Sequence, residues 1–242
     1  CQGCLKDSSK MKKGTLVVID GIDGSGKITQ IKLLANHLRK QKIPFETISF
    51  PRYRDNIYGK LIKRYLEGEL GSINSVNPYL VSCIFAGDRA LAKPLIDSWL
   101  SEGKLVLANR YVSSSKAHLG ANLLKEEREA FFRWLDDLEY KLPSEDYNLI
   151  GYETKGIPRE DLTILLKVDP KVGQKNVLGR HPDIHEENLK HLEKANEIYL
   201  QLAKKENNWY VVDCMKGSQM KTREEIHQTV MCLLQKNLSV KP

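Results

Sequence analysis

Residues Thr15–Gln30 read TLVVIDGIDGSGKITQ. Thr15 to Asp20 is a short β-branched run, apolar on both faces and closed by an acid, as expected of a central parallel strand. Gly21-Ile22-Asp23-Gly24-Ser25-Gly26-Lys27 follows at once. Ile28, Ile31, Leu34, Ala35 and Leu38 then recur at helical spacing. A glycine turn between a buried strand and a helix gathers backbone N–H groups and a helix N-terminus around one point, which suits phosphate oxygens. The glycines let the backbone come close, and Lys27 adds a mobile cation for β- and γ-phosphates. One position departs from this pattern. The residue after the lysine is normally Ser or Thr, whose hydroxyl binds Mg2+; here it is Ile28. Thr29 sits roughly 100° further round the helix, so it does not simply replace the missing ligand.

Outward from this loop, strand and helix patterns alternate. Phe45–Phe50 reads as a second strand ended by Pro51. Leu61–Leu66 is helical and Gly68–Pro78 a turn-rich loop. Pro78–Leu100 carries one long apolar periodicity that stops at Gly103. Leu105–Ala108 is a third strand, Glu126–Tyr140 an amphipathic helix and Pro143–Pro158 a loop. Leu162–Val168 and Trp209–Asp213 are further strands. Glu186–Lys205 and Arg223–Leu234 read as helices. The alternation predicts a three-layer α/β fold, a five-stranded parallel sheet covered by helices on both faces. Strand order does not follow from the pattern.

The 242 residues suit a single domain, read as residues 11–242. Cys1–Lys10 is polar and reads as a disordered extension ahead of Met11. No apolar run approaches the roughly 18–20 residues that span a bilayer, and no signal segment opens the chain; a cytoplasmic protein without a membrane partner is expected. The net charge of +7 favours anionic partners. No basic block with interleaved aromatics marks a nucleic-acid groove. Five scattered cysteines do not make a disulfide framework. Cys1 and Cys4 lack the second pair that structural zinc needs.

Four further motifs resemble the thymidylate kinases, of the P-loop NTPase fold. The loop continues through Thr29-Gln30. Phe50-Pro51-Arg52-Tyr53 follows the second strand. Phe85-Ala86-Gly87-Asp88-Arg89 lies on a helix, and Asn109-Arg110-Tyr111 stands where the family has Asp-Arg-Tyr. The likeness runs from Met11 to about Leu234. It implies phosphoryl transfer from ATP, with Mg2+, to dTMP. By the resemblance, Gly21, Asp23, Gly24, Ser25, Gly26, Lys27, Ile28 and Thr29 bind ATP. Phe85 stacks on the thymine ring and Arg89 touches the base. Arg52 and Arg110 hold the acceptor's phosphate, with Tyr53 and Asn109 beside them. Ser114, Ser115 and His118 lie near base and sugar, and Asp23 lies between donor and acceptor. A lid over ATP falls at Lys171–Asp183. The loop itself holds no arginine, so Arg180 is the lid's candidate, with Lys171 and Lys175 as helpers; Lys27, Arg110 and Arg180 form the catalytic set. Family members are commonly homodimers, and Pro78–Leu100 and Glu126–Tyr140 could supply the face.

Two departures bear on catalysis. Ile28 removes a Mg2+ ligand, so no direct protein ligation of the metal is expected beyond ATP phosphates and water. Asn109 replaces an acid, though a branch of the family reads Asn-Arg-Tyr. An active but slowed kinase is favoured. The alternatives are a nucleotide-binding protein without turnover and a kinase for another nucleoside monophosphate.

Overall fold

The computed structural model describes residues 13–73, 75–141, 156–177 and 183–238. Five strands form one parallel sheet: β1 (Thr15–Asp20), β2 (Phe45–Ser49), β3 (Leu105–Asn109), β4 (Leu162–Lys167) and β5 (Trp209–Asp213). Their order is β2-β3-β1-β4-β5, so the strand that feeds the glycine loop is central. Ile19 pairs with Asn109 on one side and with Ile164 on the other.

Alternate side chains of each strand go to opposite faces, and two cores result. Leu16, Val18, Val106, Ala108 and Leu165 pack on one face. Helices α2 (Ile57–Leu66), α3 (Pro78–Ala90), α4 (Lys93–Ser101), α5 (Val112–Gly120), α6 (Arg128–Tyr140) and α8 (Leu189–Lys205) contribute to that core. Val17, Ile19, Leu107, Ile164 and Leu166 face the other way, against α1 (Lys27–Lys40) and α9 (Arg223–Leu238). Helix α7 (Pro170–Val177) follows β4, and a small antiparallel pair, β6 (Met215–Lys216) and β7 (Gln219–Met220), precedes α9. No described helix is long and apolar enough to cross a membrane.

The one apolar periodicity over Pro78–Leu100 is carried by two helices, with a break at Leu91–Ala92. Pro94 explains it: proline has no N–H for the preceding turn, and its ring crowds the carbonyl four residues back, but it is tolerated in a first turn. The second departure is α5. Its sequence, VSSSKAHLG, has no apolar stripe, yet it is a helix and all nine residues are buried. The third is Lys171–Asp183, expected as a lid: its first residues belong to α7, a helix packed on the glycine loop. Residues 178–182, including Arg180, and most of the loop expected over Pro143–Pro158 lie outside the described residues, as does Cys1–Lys10.

Candidate active site

The glycine loop turns from β1 into α1 with Gly24 at φ 74° and Gly26 at φ 92°. A Cβ on Gly24 would fall 2.0 Å from the Gly173 carbonyl oxygen of α7, so only glycine lets that helix rest on the loop. Among the described residues nothing stands within 4 Å of a Cβ built on Gly26. Lys27 Nζ donates to the Gly21 and Ile22 carbonyls at 2.8 Å each. It stands 4.0 Å from the Asp23 carboxylate. Burial, reinforced by Arg110, lowers the Lys27 pKa to about 8, so the ammonium persists at neutral pH. Ile28 is 53% exposed at the cavity rim beside Thr29.

A cavity of about 790 Å³ opens from this loop. Its walls include Tyr53, Phe85, Arg89, Asn109, Arg110, Ser114, Ser115 and His118, which the sequence singled out from distant segments. Arg110, at the turn from β3 into α5, is a non-glycine residue at φ 64°, a conformation that must be held by its surroundings. Its Nη2 donates to Asp23 Oδ1. Its Nη1 lies 3.1 Å from His118 Nε2 and 3.5 Å from Ser114 Oγ. Burial alone would raise the Asp23 pKa, but Arg110 and Lys27 hold the carboxyl well below the usual range. Asp23 therefore joins the loop to the cavity wall as a fixed anion.

Two neighbours on α3 point to different partners. Arg89 is 1% exposed. Its Nε and Nη2 grip both oxygens of Glu139 at 2.5 and 2.6 Å, and Nη2 also donates to Ser115 Oγ at 2.7 Å. Only Nη1 is loosely engaged, 3.4 Å from the Tyr111 carbonyl. Asp88 accepts from Arg52 Nε at 3.0 Å and from Asn56 Nδ2 at 2.6 Å, and Arg52 Nη2 donates to the Asp88 carbonyl at 2.7 Å. Arg52 thus lies behind the cavity wall rather than on it. Lys171 and Lys175 are exposed on α7 and likewise do not line the cavity, whereas Asn176 and Val177 do.

Several residues of the site carry no motif. Asp20, fully buried beneath the loop, accepts from Ser113 Oγ at 2.5 Å, Ser114 Oγ at 2.8 Å, Tyr199 Oη at 2.7 Å and the Gly21 N–H at 2.8 Å. His185 and Asp183 reach the cavity from the segment entering α8. Burial, with Asp23 nearby, pushes the Asp183 pKa up to about 7. Asn109 Oδ1 is buried with no hydrogen-bond partner among the described residues. Such a signal is absent from a sequence, because it depends on which distant side chains arrive.

A central strand leading into a phosphate loop, beside a cavity walled by arginines and aromatic rings, defines a P-loop nucleoside monophosphate kinase. A model of the thymidylate kinase family matches residues 19–230. The probable thymidylate kinase of Pyrobaculum aerophilum is 33% identical over 202 residues, covering 83% of this chain and 88% of that protein. That of Thermococcus onnurineus is 30% identical over 228 residues, covering 92% and 98%. The solved thymidylate kinase of Candida albicans superposes with a TM-score of 0.74 at 22% identity, over 95% of this chain and 94% of its own, a likeness of fold. The chain belongs to the thymidylate kinase family.

Proposed function

We propose that this protein transfers the γ-phosphoryl group of ATP to dTMP, giving ADP and dTDP. The observation that carries the reading is the Asp23–Arg110 ion pair, which ties the phosphate loop to the acceptor cavity. Phosphoryl transfer asks the protein mainly to align two anions and neutralise the moving charge. Lys27, leaving the Gly21 and Ile22 carbonyls, reaches the β- and γ-phosphates while the loop N–H groups hold them. Arg110 takes the acceptor's phosphate, a task its planar fork suits. Phe85 offers a face for the pyrimidine, and Arg89 is left Nη1 for the base. Tyr53, Ser114, Ser115 and His118 complete the acceptor wall. Arg180 is the lid cation for the transferred group, and Arg52 adds positive potential from behind Asp88.

Mg2+ fits this site as a companion of ATP rather than as a protein-held ion. Ile28 offers no ligand, while the unpartnered Asn109 amide oxygen can accept from a metal-bound water. When bound, the metal offsets phosphate charge. A homodimer is supported by Leu80, Leu91 and Leu95, exposed by 67, 54 and 45% along α3 and α4; sedimentation would read it.

The test is a panel of dTMP, dUMP, CMP, AMP and GMP with ATP, scored by ADP release with and without Mg2+. ADP formed fastest with dTMP supports the reading; preference for another acceptor overturns it. A second reading, nucleotide binding without turnover, draws on Ile28 alone, and predicts nucleotide-dependent thermal stabilisation with no ADP.

A further inference from the structure

His118 on α5, His185 ahead of α8 and His191 in the first turn of α8 are buried, and their ring nitrogens lie within 4.8 Å of one another. Three imidazoles at such spacing are a donor set for a borderline-soft divalent cation. Their hydrogen bonds point elsewhere. Arg110 Nη1 is 3.1 Å from His118 Nε2. A guanidinium only donates, so Nε2 holds the lone pair and the proton of a neutral His118 sits on Nδ1. That Nδ1 faces His191 Nε2 at 3.4 Å. His191 Nδ1 in turn faces the Asn122 amide oxygen at 3.0 Å, which accepts. His185 Nε2 faces Tyr65 Oη at 3.1 Å, and the other contacts run in one direction, from Arg110 through His118 and His191 to Asn122. A metal on His118 Nδ1 would force a proton on to Nε2, against the Arg110 N–H.

We propose that His118 is a positioning residue for Arg110, and that the chain through His191 to Asn122 fixes the tautomer that lets it act. The proposal rests on the reading of Arg110 as the ligand of the acceptor's phosphate. Asp23 anchors one arm of the guanidinium. Without His118 the other arm keeps, among the described residues, Ser114 Oγ at 3.5 Å, and the fork can swing about its Asp23 contact. The aromatic packing holds the acceptor ring in place: His185 stacks on His118 at 5.6 Å between centroids with an 11° interplanar angle, and Tyr199 meets it edge-on. Burial, aided by Arg110, keeps the His118 pKa well below the usual imidazole value, so the lone pair is available at neutral pH.

The experiment compares His118→Phe, which keeps a ring without an acceptor, with His118→Gln, whose amide oxygen can replace Nε2. His118→Phe is expected to raise KM for dTMP about tenfold, the order of one charge-assisted hydrogen bond, while KM for ATP stays within about twofold. His118→Gln is expected to recover most of the loss. Equal impairment of both variants, or equal change in both KM values, overturns the proposal. Nitrogen-15 NMR of the wild-type protein at pH 7 gives an independent reading should a variant fail to fold. A protonated His118 Nδ1 with bare Nε2 supports the chain, and the opposite tautomer overturns it. If the wild-type protein does not phosphorylate dTMP at all, the parent reading fails instead, and the tautomer measurement still decides the hydrogen-bond chain.

Discussion

The donor end and the acceptor end of the cavity meet at Asp23 and Arg110, and they are built by different means. The donor end is one stretch of backbone. Within Asp20–Lys27 the chain supplies its own glycines, N–H groups and cation, while Gly173 approaches from outside and Ser113, Ser114 and Tyr199 hold Asp20. The acceptor end is assembled from side chains far apart in sequence. Arg89 of α3 meets Glu139 of α6, Arg110 after β3 meets Asp23, and His118 of α5 meets His191 of α8. A site of the first kind tolerates change elsewhere in the molecule. A site of the second kind depends on several elements packing together with their charges matched.

The sharpest way to break the acceptor end is Glu139→Ala. Arg89 would remain buried with its counter-charge gone, and losing one member of a buried pair costs about 3–5 kcal/mol. Denaturant melts should show that loss, with weaker dTMP binding as a companion. A loss under about 1 kcal/mol would mean that Ser115 and the Tyr111 carbonyl suffice.

Gly24→Ala attacks the donor end in the same currency. Its φ of 74° and the 2.0 Å approach of the Gly173 oxygen leave no room for a methyl group. Strain of about 1–3 kcal/mol is expected, and ATP binding, followed by calorimetry, should fall more than dTMP binding. Equal loss at both ends would show that the two halves are less separable than described.

Ile28→Thr restores the missing hydroxyl. Turnover should rise by up to about tenfold, worth roughly 1.4 kcal/mol, with KM for dTMP little changed. Steady-state rates across a Mg2+ titration check this; equal or lower turnover would show that the metal is held well enough by ATP and water.

A pH-dependent effect is expected of Asp183, on the cavity wall. Its folded pKa of about 7 is above the ordinary carboxylate value. The folded state therefore holds the proton more tightly, and this group's contribution to stability falls as pH rises from about 4 to about 7. Asp183→Asn should remove that penalty while keeping the side-chain oxygen that accepts from the His185 and Glu186 N–H groups. The gain is expected above pH 7 and vanishes below about pH 4. Thermal melts at pH 5 and pH 8 would measure it, and a gain of the same size at both would place the effect outside ionisation.

Much of this was legible beforehand because it is written locally. The five strands are short runs with their own breakers, and each appears where its residues predict. The glycine loop needs no partner to be recognised. Helix α5 was not legible as a helix. Its serines, lysine and histidine look like surface or loop residues until their partners are seen: Asp20 for Ser113 and Ser114, Arg89 for Ser115, Asp136 for Lys116 and Arg110 for His118. The break between α3 and α4 was there in Pro94, masked by an apolar rhythm that continues across it.

By itself the sequence determined the strand-loop-helix unit, the alternation that makes a parallel sheet, and the set of arginines available for anions. These follow from residue spacing and backbone chemistry, which act over a few positions. Tertiary structure alone decided how each arginine is engaged. Arg52 and Arg89 are largely committed to buried carboxylates, while Arg110 is turned to Asp23 and His118. The physical reason is that a buried charge must find a counter-charge or a hydrogen-bond partner, and in this chain such partners lie far off in sequence, 87 residues for Arg110 and Asp23 and 179 for Tyr199 and Asp20.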